Sequence, residues 1–231
     1  MIQIKSEVFN EDCMIGMARY PDKFFDLAIV DPPYGIKEDG RQNHTRGKLA
    51  KAADYRGSSR YDNETPDKKY FDELRRVSAF QVIWGGNYFI DYLPSTPCFI
   101  VWDKNNGDND FADCELAWTN FDSAVRKVKH TWNGMLQENM AQKEERIHPN
   151  HKPIRLYKWI LTNYAQPGMK ILDTHMGSQS SRIAAFNMGF DYVGFELDKE
   201  YFEAGNKRFK EQTAQTQLFD DPDLYTSGPE Y

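Results

Sequence analysis

The sequence is poor in cysteine, in long apolar runs and in positive charge. Its three cysteines, Cys13, Cys98 and Cys114, are odd in number and widely spaced among 231 residues. They exclude a disulfide scaffold and a Cys-based zinc site, and they read as reduced thiols in a cytoplasm. No apolar run approaches the roughly 18 residues of a membrane span. The densest is Cys98-Phe99-Ile100-Val101-Trp102. Residues 1–10 lack the basic-then-apolar pattern of a signal peptide. Net charge is −6, which argues against a protein that coats nucleic acid by bulk electrostatics. There is no internal repeat and no G-x-G-x-x-G. His148 and His151 stand three apart with no further ligand nearby, so no metal is expected.

What is present suits one globular α/β domain. Apolar residues make up 40%, with 15 Phe, 13 Tyr and 5 Trp, enough to bury a core. Charge is unevenly placed. Residues 41–60 hold six Lys/Arg (Arg41, Arg46, Lys48, Lys51, Arg56, Arg60) against Asp54 alone. Residues 126–155 hold seven Lys/Arg against three Glu, and residues 213–231 hold four acids and no base. The two basic segments are candidates to face phosphate, or else ordinary solvated loops. The reading is a single domain over residues 1–212, interrupted by a polar, basic loop at 35–65 and a short segment at 122–147. An acidic, disordered tail at 213–231 follows.

Along the chain, residues 24–30 form an apolar run stopped by two prolines, which reads as a buried strand. Residues 66–77 show helical spacing, with Tyr70, Phe71, Leu74 and Val77 on one face, Thr65 as N-cap and Pro66 at the first helical position. Strands are expected at 80–84, 98–102 and 115–121. Pro153 opens a helix, followed by a strand at 170–173, a helix at 180–188, a strand at 191–196 and an amphipathic helix at 199–212. Strands alternating with helices imply a doubly wound, mostly parallel Rossmann-like sheet with helices on both faces.

Two constellations carry chemistry. In the first, the strand ending at Asp173 enters Thr174-His175-Met176-Gly177-Ser178-Gln179-Ser180-Ser181, and the next strand ends at Glu196, 19 residues beyond Gly177. A small-residue turn lets a ligand approach the backbone, and an acid on the neighbouring strand accepts from ribose hydroxyls. With one glycine, the turn suits a ligand without a pyrophosphate, such as S-adenosylmethionine; it would otherwise be a plain strand-to-helix connection. In the second, Asp31-Pro32-Pro33-Tyr34 follows a strand. The Asp31 carboxylate and the Pro32 carbonyl offer two acceptors to an exocyclic amine, and Tyr34 offers a flat face to a planar base. A lone proline-capped strand end would look alike, but the following aromatic residue makes the tetrapeptide more specific.

These residues resemble the amino-methyltransferases that modify adenine N6 or cytosine N4 in DNA. Their D/N/S-P-P-Y/F/W turn is matched by Asp31, Pro32, Pro33 and Tyr34. Their H-P-x-x-K-P segment is matched by His148, Pro149, Lys152 and Pro153. The order, catalytic turn first and cofactor turn last, is that of the permuted beta group. The resemblance spans residues 10–205 and implies catalysis by Asp31, Pro32, Pro33 and Tyr34. It implies S-adenosylmethionine contacts from Asp12, Asp31, His148, Lys152, Pro153, Asp173, His175, Met176, Gly177, Ser178, Ser180 and Glu196. Asp at the first motif position is the family's adenine tendency, and Ser its cytosine tendency. The implied activity is therefore adenine-N6 methylation of a flipped-out base in double-stranded DNA, with cytosine N4 as the alternative. A cytosine-C5 enzyme would need a nucleophilic cysteine, whereas Cys98 reads as a core thiol.

One departure matters. Gln179 stands where the family has glycine, and a positive φ there would cost about 1 kcal/mol. A rival reading follows, a DNA-binding or regulatory module with weakened cofactor binding. Further expectations are a homodimer that supplements the short recognition segment, and a sliding-clamp contact through Gln215, Leu218 and Phe219. A cytoplasmic location in a bacterium or phage is expected, with no membrane partner.

Overall fold

The computed structural model describes residues 4–36, 65–106, 112–133 and 136–216. The ten strands among them are β1 (Ser6–Phe9), β2 (Phe25–Val30), β3 (Ser78–Trp84), β4 (Phe99–Asp103), β5 (Cys114–Thr119), β6 (Arg126–Lys129), β7 (Trp132–Asn133), β8 (Leu136–Gln137), β9 (Lys170–Asp173) and β10 (Asp191–Phe195). The helices are α1 (Cys13–Met17), α2 (Lys68–Val77), α3 (Ile154–Tyr164), α4 (Ser180–Asn187) and α5 (Lys199–Thr216). Eight strands form one sheet in the order β1-β10-β9-β2-β3-β5-β4-β6, and β7 and β8 form a separate antiparallel pair. Only β5 runs against its neighbours in the large sheet.

The centre of the sheet joins the two halves of the chain: β2 pairs in parallel with β9, Leu27 opposite Ile171 and Ala28 opposite Leu172. Their paired centres, residues 27–30 and 171–172, are apolar and buried because both faces are covered by helices and side chains, the usual pattern of an interior parallel strand. One core, with Leu27, Ile29, Val82, Trp84, Leu156 and Ile160, packs on one face. The other, with Phe25, Ala28, Val30, Phe71, Leu74 and Phe195, packs on the opposite face.

The expected doubly wound sheet is thus present, with differences of detail. The α2 helix begins two residues later than the proline suggested. Asp67 is its N-cap, its side chain accepting from Tyr70 N, so Thr65 and Pro66 precede the helix. The amphipathic α5 continues to Thr216, past the expected end at residue 212. Sequence periodicity missed β1, α1, β6 and the β7–β8 pair. Each is five residues or fewer, too short for a period to register. Most of the basic loop, residues 37–64, lies outside the described residues, as do Leu218 and Phe219 of the clamp-like segment.

Candidate active site

Five parallel strands, β1, β10, β9, β2 and β3, end on the same edge of the sheet. At or just beyond those ends lie Asp12, Glu196, Asp173, Asp31 and Gly85 in turn, Asp173 being the last residue of β9. Register carries the chain past Val30 and Asp173 side by side, so the two constellations singled out in the sequence meet here despite their separation along the chain.

On the β9 side, Asp173 is buried. One oxygen accepts from His175 N at 3.0 Å and the other from Ser181 Oγ at 2.5 Å. Burial raises its carboxyl to about 7, and the charges of Asp31 and Glu196 push in the same direction. Glu196 is buried too, and accepts from Gly177 N at 2.8 Å and from Asp198 N at 2.9 Å. Burial raises its pKa as well. Gly177 sits at φ 46°, and a Cβ there would meet the His148 ring at 3.3 Å. Asp12 is exposed and caps α1, accepting from Met14 N at 2.7 Å.

Gln179 adopts φ 59°, the left-handed conformation that glycine takes without penalty. Its side chain is buried and bonded: Oε1 accepts from Arg182 at 2.9 Å and Nε2 donates to the Phe202 carbonyl at 3.2 Å. Gly205 on α5 leaves the room, since a Cβ there would lie 2.6 Å from Gln179 Cγ.

Residues 144–153 cross beside this turn. Arg208 of α5 donates to the Ser178 carbonyl at 2.7 Å, to Ser180 Oγ at 3.0 Å and to Glu144 at 2.5 Å. Glu144 in turn accepts from Ile154 N at the start of α3, whose N-cap is Pro153. His151 lies 3.3 Å from Ser180 Oγ, and His148 stacks edge-on against Tyr201. The two imidazoles therefore face different partners. Burial lowers His148 to about 3 and His175 to about 4, and takes His151 well below its ordinary value, so all three are neutral at pH 7. His175 contacts Thr174 Oγ1, which bonds the Tyr70 hydroxyl. Met176 fills the space beside Gly194, where a Cβ would meet its sulfur at 2.4 Å.

On the β2 side, Asp31 is buried. Its Oδ1 accepts from the Tyr34 hydroxyl at 2.5 Å, and its Oδ2 forms a close ion pair with Lys152. Burial raises the Asp31 pKa while the Lys152 charge opposes the rise. Tyr34 stacks on the exposed Tyr88, centroids 4.9 Å apart and planes 13° off parallel. Gly85, at φ 69°, makes room, since a Cβ there would lie 2.2 Å from the Tyr34 ring.

Sequence reasoning missed Tyr88, Glu115, Lys104, Arg208 and Glu144. Two carried a signal: Glu115 is a lone acid in the strand sequence CELAWT, and Tyr88 follows the Gly85-Gly86 turn. Of the basic candidates at 126–155, Arg126, Lys127 and Lys129 are exposed on β6, Lys143 and Arg155 are exposed too, Arg146 is half-buried and Lys152 is buried. No helix among the described residues is long and apolar enough to cross a membrane.

The donor set fits a cationic ligand. Asp31, Asp173 and Glu196 gather at one edge, and Asp31 and Glu196 each raise the pKa of Asp173. A sulfonium would relieve that repulsion, whereas a pyrophosphate would add to it.

The sheet, its order and its acid-lined edge are those of a Rossmann-like methyltransferase. The DNA methylase family N6_N4_Mtase matches residues 80–207, more than half of the chain, and the chain belongs to it. Its cofactor is S-adenosylmethionine. M.HinfI, a type II methyltransferase of Haemophilus influenzae, is 22% identical over 253 residues, covering 88% of this chain and 68% of its own. The SAM complex of M1.HpyAVI matches the fold with a TM-score of 0.54 at 20% identity, over 87% of this chain and 98% of that one. PvuII DNA methyltransferase, cytosine-N4-specific, gives a TM-score of 0.56 at 13% identity, over 91% and 92%.

Proposed function

We propose that this DNA methyltransferase modifies adenine at N6, with Asp31, Pro32, Pro33 and Tyr34 as the catalytic turn. The observation that carries the reading is the parallel pairing of β2 with β9, Ala28 opposite Leu172, which brings the acidic turn after β2 beside the small-residue turn after β9. The adenine assignment rests on Asp31 at the first motif position.

Asp173, Gly177, Ser178, Ser180 and Glu196 are the proposed core of the cofactor site, with Asp12, His148, Pro153, His175 and Met176 around it. Bound there, S-adenosylmethionine supplies an electrophilic methyl group on a sulfonium. The Asp31 carboxylate and the Pro32 carbonyl accept the two hydrogens of the exocyclic amine, which favours its pyramidal, nucleophilic form. The same acceptors stabilise the positive charge that develops on nitrogen. Holding the amine in line supplies much of the rate. A base leaves the duplex to reach this turn. It stacks on Tyr34 either on the face away from Tyr88 or after Tyr88 has moved aside. Residues 41–60 and 126–155 supply phosphate contacts to double-stranded DNA.

Incubation with double-stranded DNA and labelled S-adenosylmethionine, followed by nucleoside mass spectrometry, is expected to yield N6-methyladenine. N4-methylcytosine would replace the adenine reading, and no methylated base would leave the regulatory-module reading. Asp31→Ala is expected to lose about 100-fold or more in turnover at saturating cofactor, a larger effect than any loss of cofactor affinity seen by calorimetry. Normal turnover in that variant would remove Asp31 from its role.

A further inference from the structure

Lys152 is the only cation within ion-pair distance of Asp31 among the described residues, yet it does not belong to Asp31 alone. Glu115, partly exposed on β5, has Oε2 at 3.3 Å from Lys152 Nζ. The other Glu115 oxygen forms a close ion pair with Lys104, just beyond β4. The four side chains therefore alternate in sign from the catalytic turn outward: Asp31, Lys152, Glu115, Lys104. Glu115 Oε2 is buried and makes no hydrogen bond among the described residues. It acts on Lys152 by charge and is an acceptor that the ammonium can reach by a short shift. The rings of Trp84 and Tyr34, 5.4 and 5.7 Å from Nζ, flank the ammonium.

An Asp31–Lys152 pair by itself is neutral and poorly suited to stabilise positive charge developing on an amine. Glu115 makes the inner three groups net negative, and Lys104 restores neutrality only from the far side of Glu115. Lys104 pairs with Glu115 rather than with Asp31, so its positive charge is felt less at Asp31.

We infer that Glu115, held by Lys104, draws the Lys152 ammonium from Asp31 and so acts as a positioning residue that leaves the Asp31 carboxylate free to accept the substrate amine. The inference rests on the proposed role of Asp31. It adds a residue outside the Asp-Pro-Pro-Tyr and His-Pro-x-x-Lys-Pro segments. Among the described residues, the charged and titratable groups facing Asp31 include Lys152, Tyr34, Glu115, Asp173 and, from α2, Tyr70. Those facing Glu115 are Lys152 and Lys104.

Two substitutions push the cluster in opposite directions. Glu115→Gln leaves Lys152 wholly to Asp31, so the Asp31 carboxyl should titrate at lower pH. Lys104→Gln lets Glu115 pull harder on Lys152 and removes a positive charge, so Asp31 should titrate at higher pH. With 13C-carboxyl aspartate in the full chain, and the Asp31 signal assigned by its loss in Asp31→Asn, each midpoint should move by about half a pH unit or more. Glu115→Gln should also lose about tenfold in kcat with unchanged affinity for S-adenosylmethionine, and Glu115→Asp should recover part of it. A Glu115 that serves only the fold would leave kcat unchanged in the folded Glu115→Gln chain, whatever its charge does to the midpoint. Midpoints that stay fixed, or move the same way in both variants, overturn the inference. The titration reads the cluster without any turnover. A wild-type chain that transfers no methyl group therefore counts against the proposed function alone, while the midpoints still decide whether Glu115 draws Lys152 from Asp31.

Discussion

Gln179 is a residue whose backbone and side chain pull in opposite directions. Its φ of 59° costs about 1 kcal/mol relative to glycine. Its buried amide repays this with bonds to Arg182 and the Phe202 carbonyl, each contributing about 1 kcal/mol. Truncation would also empty the space opposite Gly205. The side-chain terms win. Gln179→Gly, although it restores the family's residue, should destabilise the fold by about 1–2 kcal/mol. Urea denaturation measures this, and a more stable variant would show that backbone strain dominates. The departure that suggested weakened cofactor binding is therefore a locally compensated one. The side chain is turned into the α4–α5 contact, which the tetrapeptide around it gave no means of foreseeing.

At the scale of elements, α5 braces the turn after β9, the proposed cofactor turn. Phe202, Gly205, Asn206 and Arg208, on successive turns of one helix, all meet residues 178–182. Arg208 also reaches Glu144, the side chain that accepts from the first backbone N–H of α3. One guanidinium thus ties three segments together. Removing it leaves the partly buried Glu144 charge and the Ser178 carbonyl without that donor. Breaking a buried pair from one side costs about 3–5 kcal/mol. Arg208→Ala should lose stability at the lower end of that range, with cofactor affinity falling in parallel. Chemical denaturation and calorimetry on the same preparation test both. Affinity that survives intact would mean that the turn holds its shape without α5. The amphipathic spacing of Tyr201, Phe202 and Phe209 made α5 legible as a helix, but what its polar positions touch depends on how it docks.

At the scale of the whole molecule, the edge of the sheet concentrates acid. The raised Asp173 carboxyl, about 7, means that it binds a proton as the pH falls below neutrality. A cationic ligand favours the ionised form. Affinity for S-adenosylmethionine should therefore hold above pH 7.5 and decline below pH 7, approaching tenfold per unit. The neutral thioether product, S-adenosylhomocysteine, should decline less. Calorimetry with both ligands from pH 6 to 8 separates them, and parallel profiles would show that the carboxylates do not sense ligand charge. The neutral imidazoles of His148, His151 and His175 do not confuse that window, because burial moves their titration to lower pH.

The local sequence determined the elements with enough length to carry a period, the interior strands with continuous apolar character, and the two turns whose proline or small residues admit few conformations. These properties depend on neighbours along the chain. The tertiary structure alone decided that Lys152 lies against Asp31, that Glu115 and Lys104 stand behind it, that Tyr88 covers one face of Tyr34, and that Arg208 locks the cofactor turn. Apart from the Glu115–Lys104 pair across β4 and β5, those contacts join residues 30 to 121 positions apart. Charge and ring contacts of that kind act through space, and only the parallel pairing of β2 with β9 and the docking of α5 and residues 144–153 bring their partners within reach.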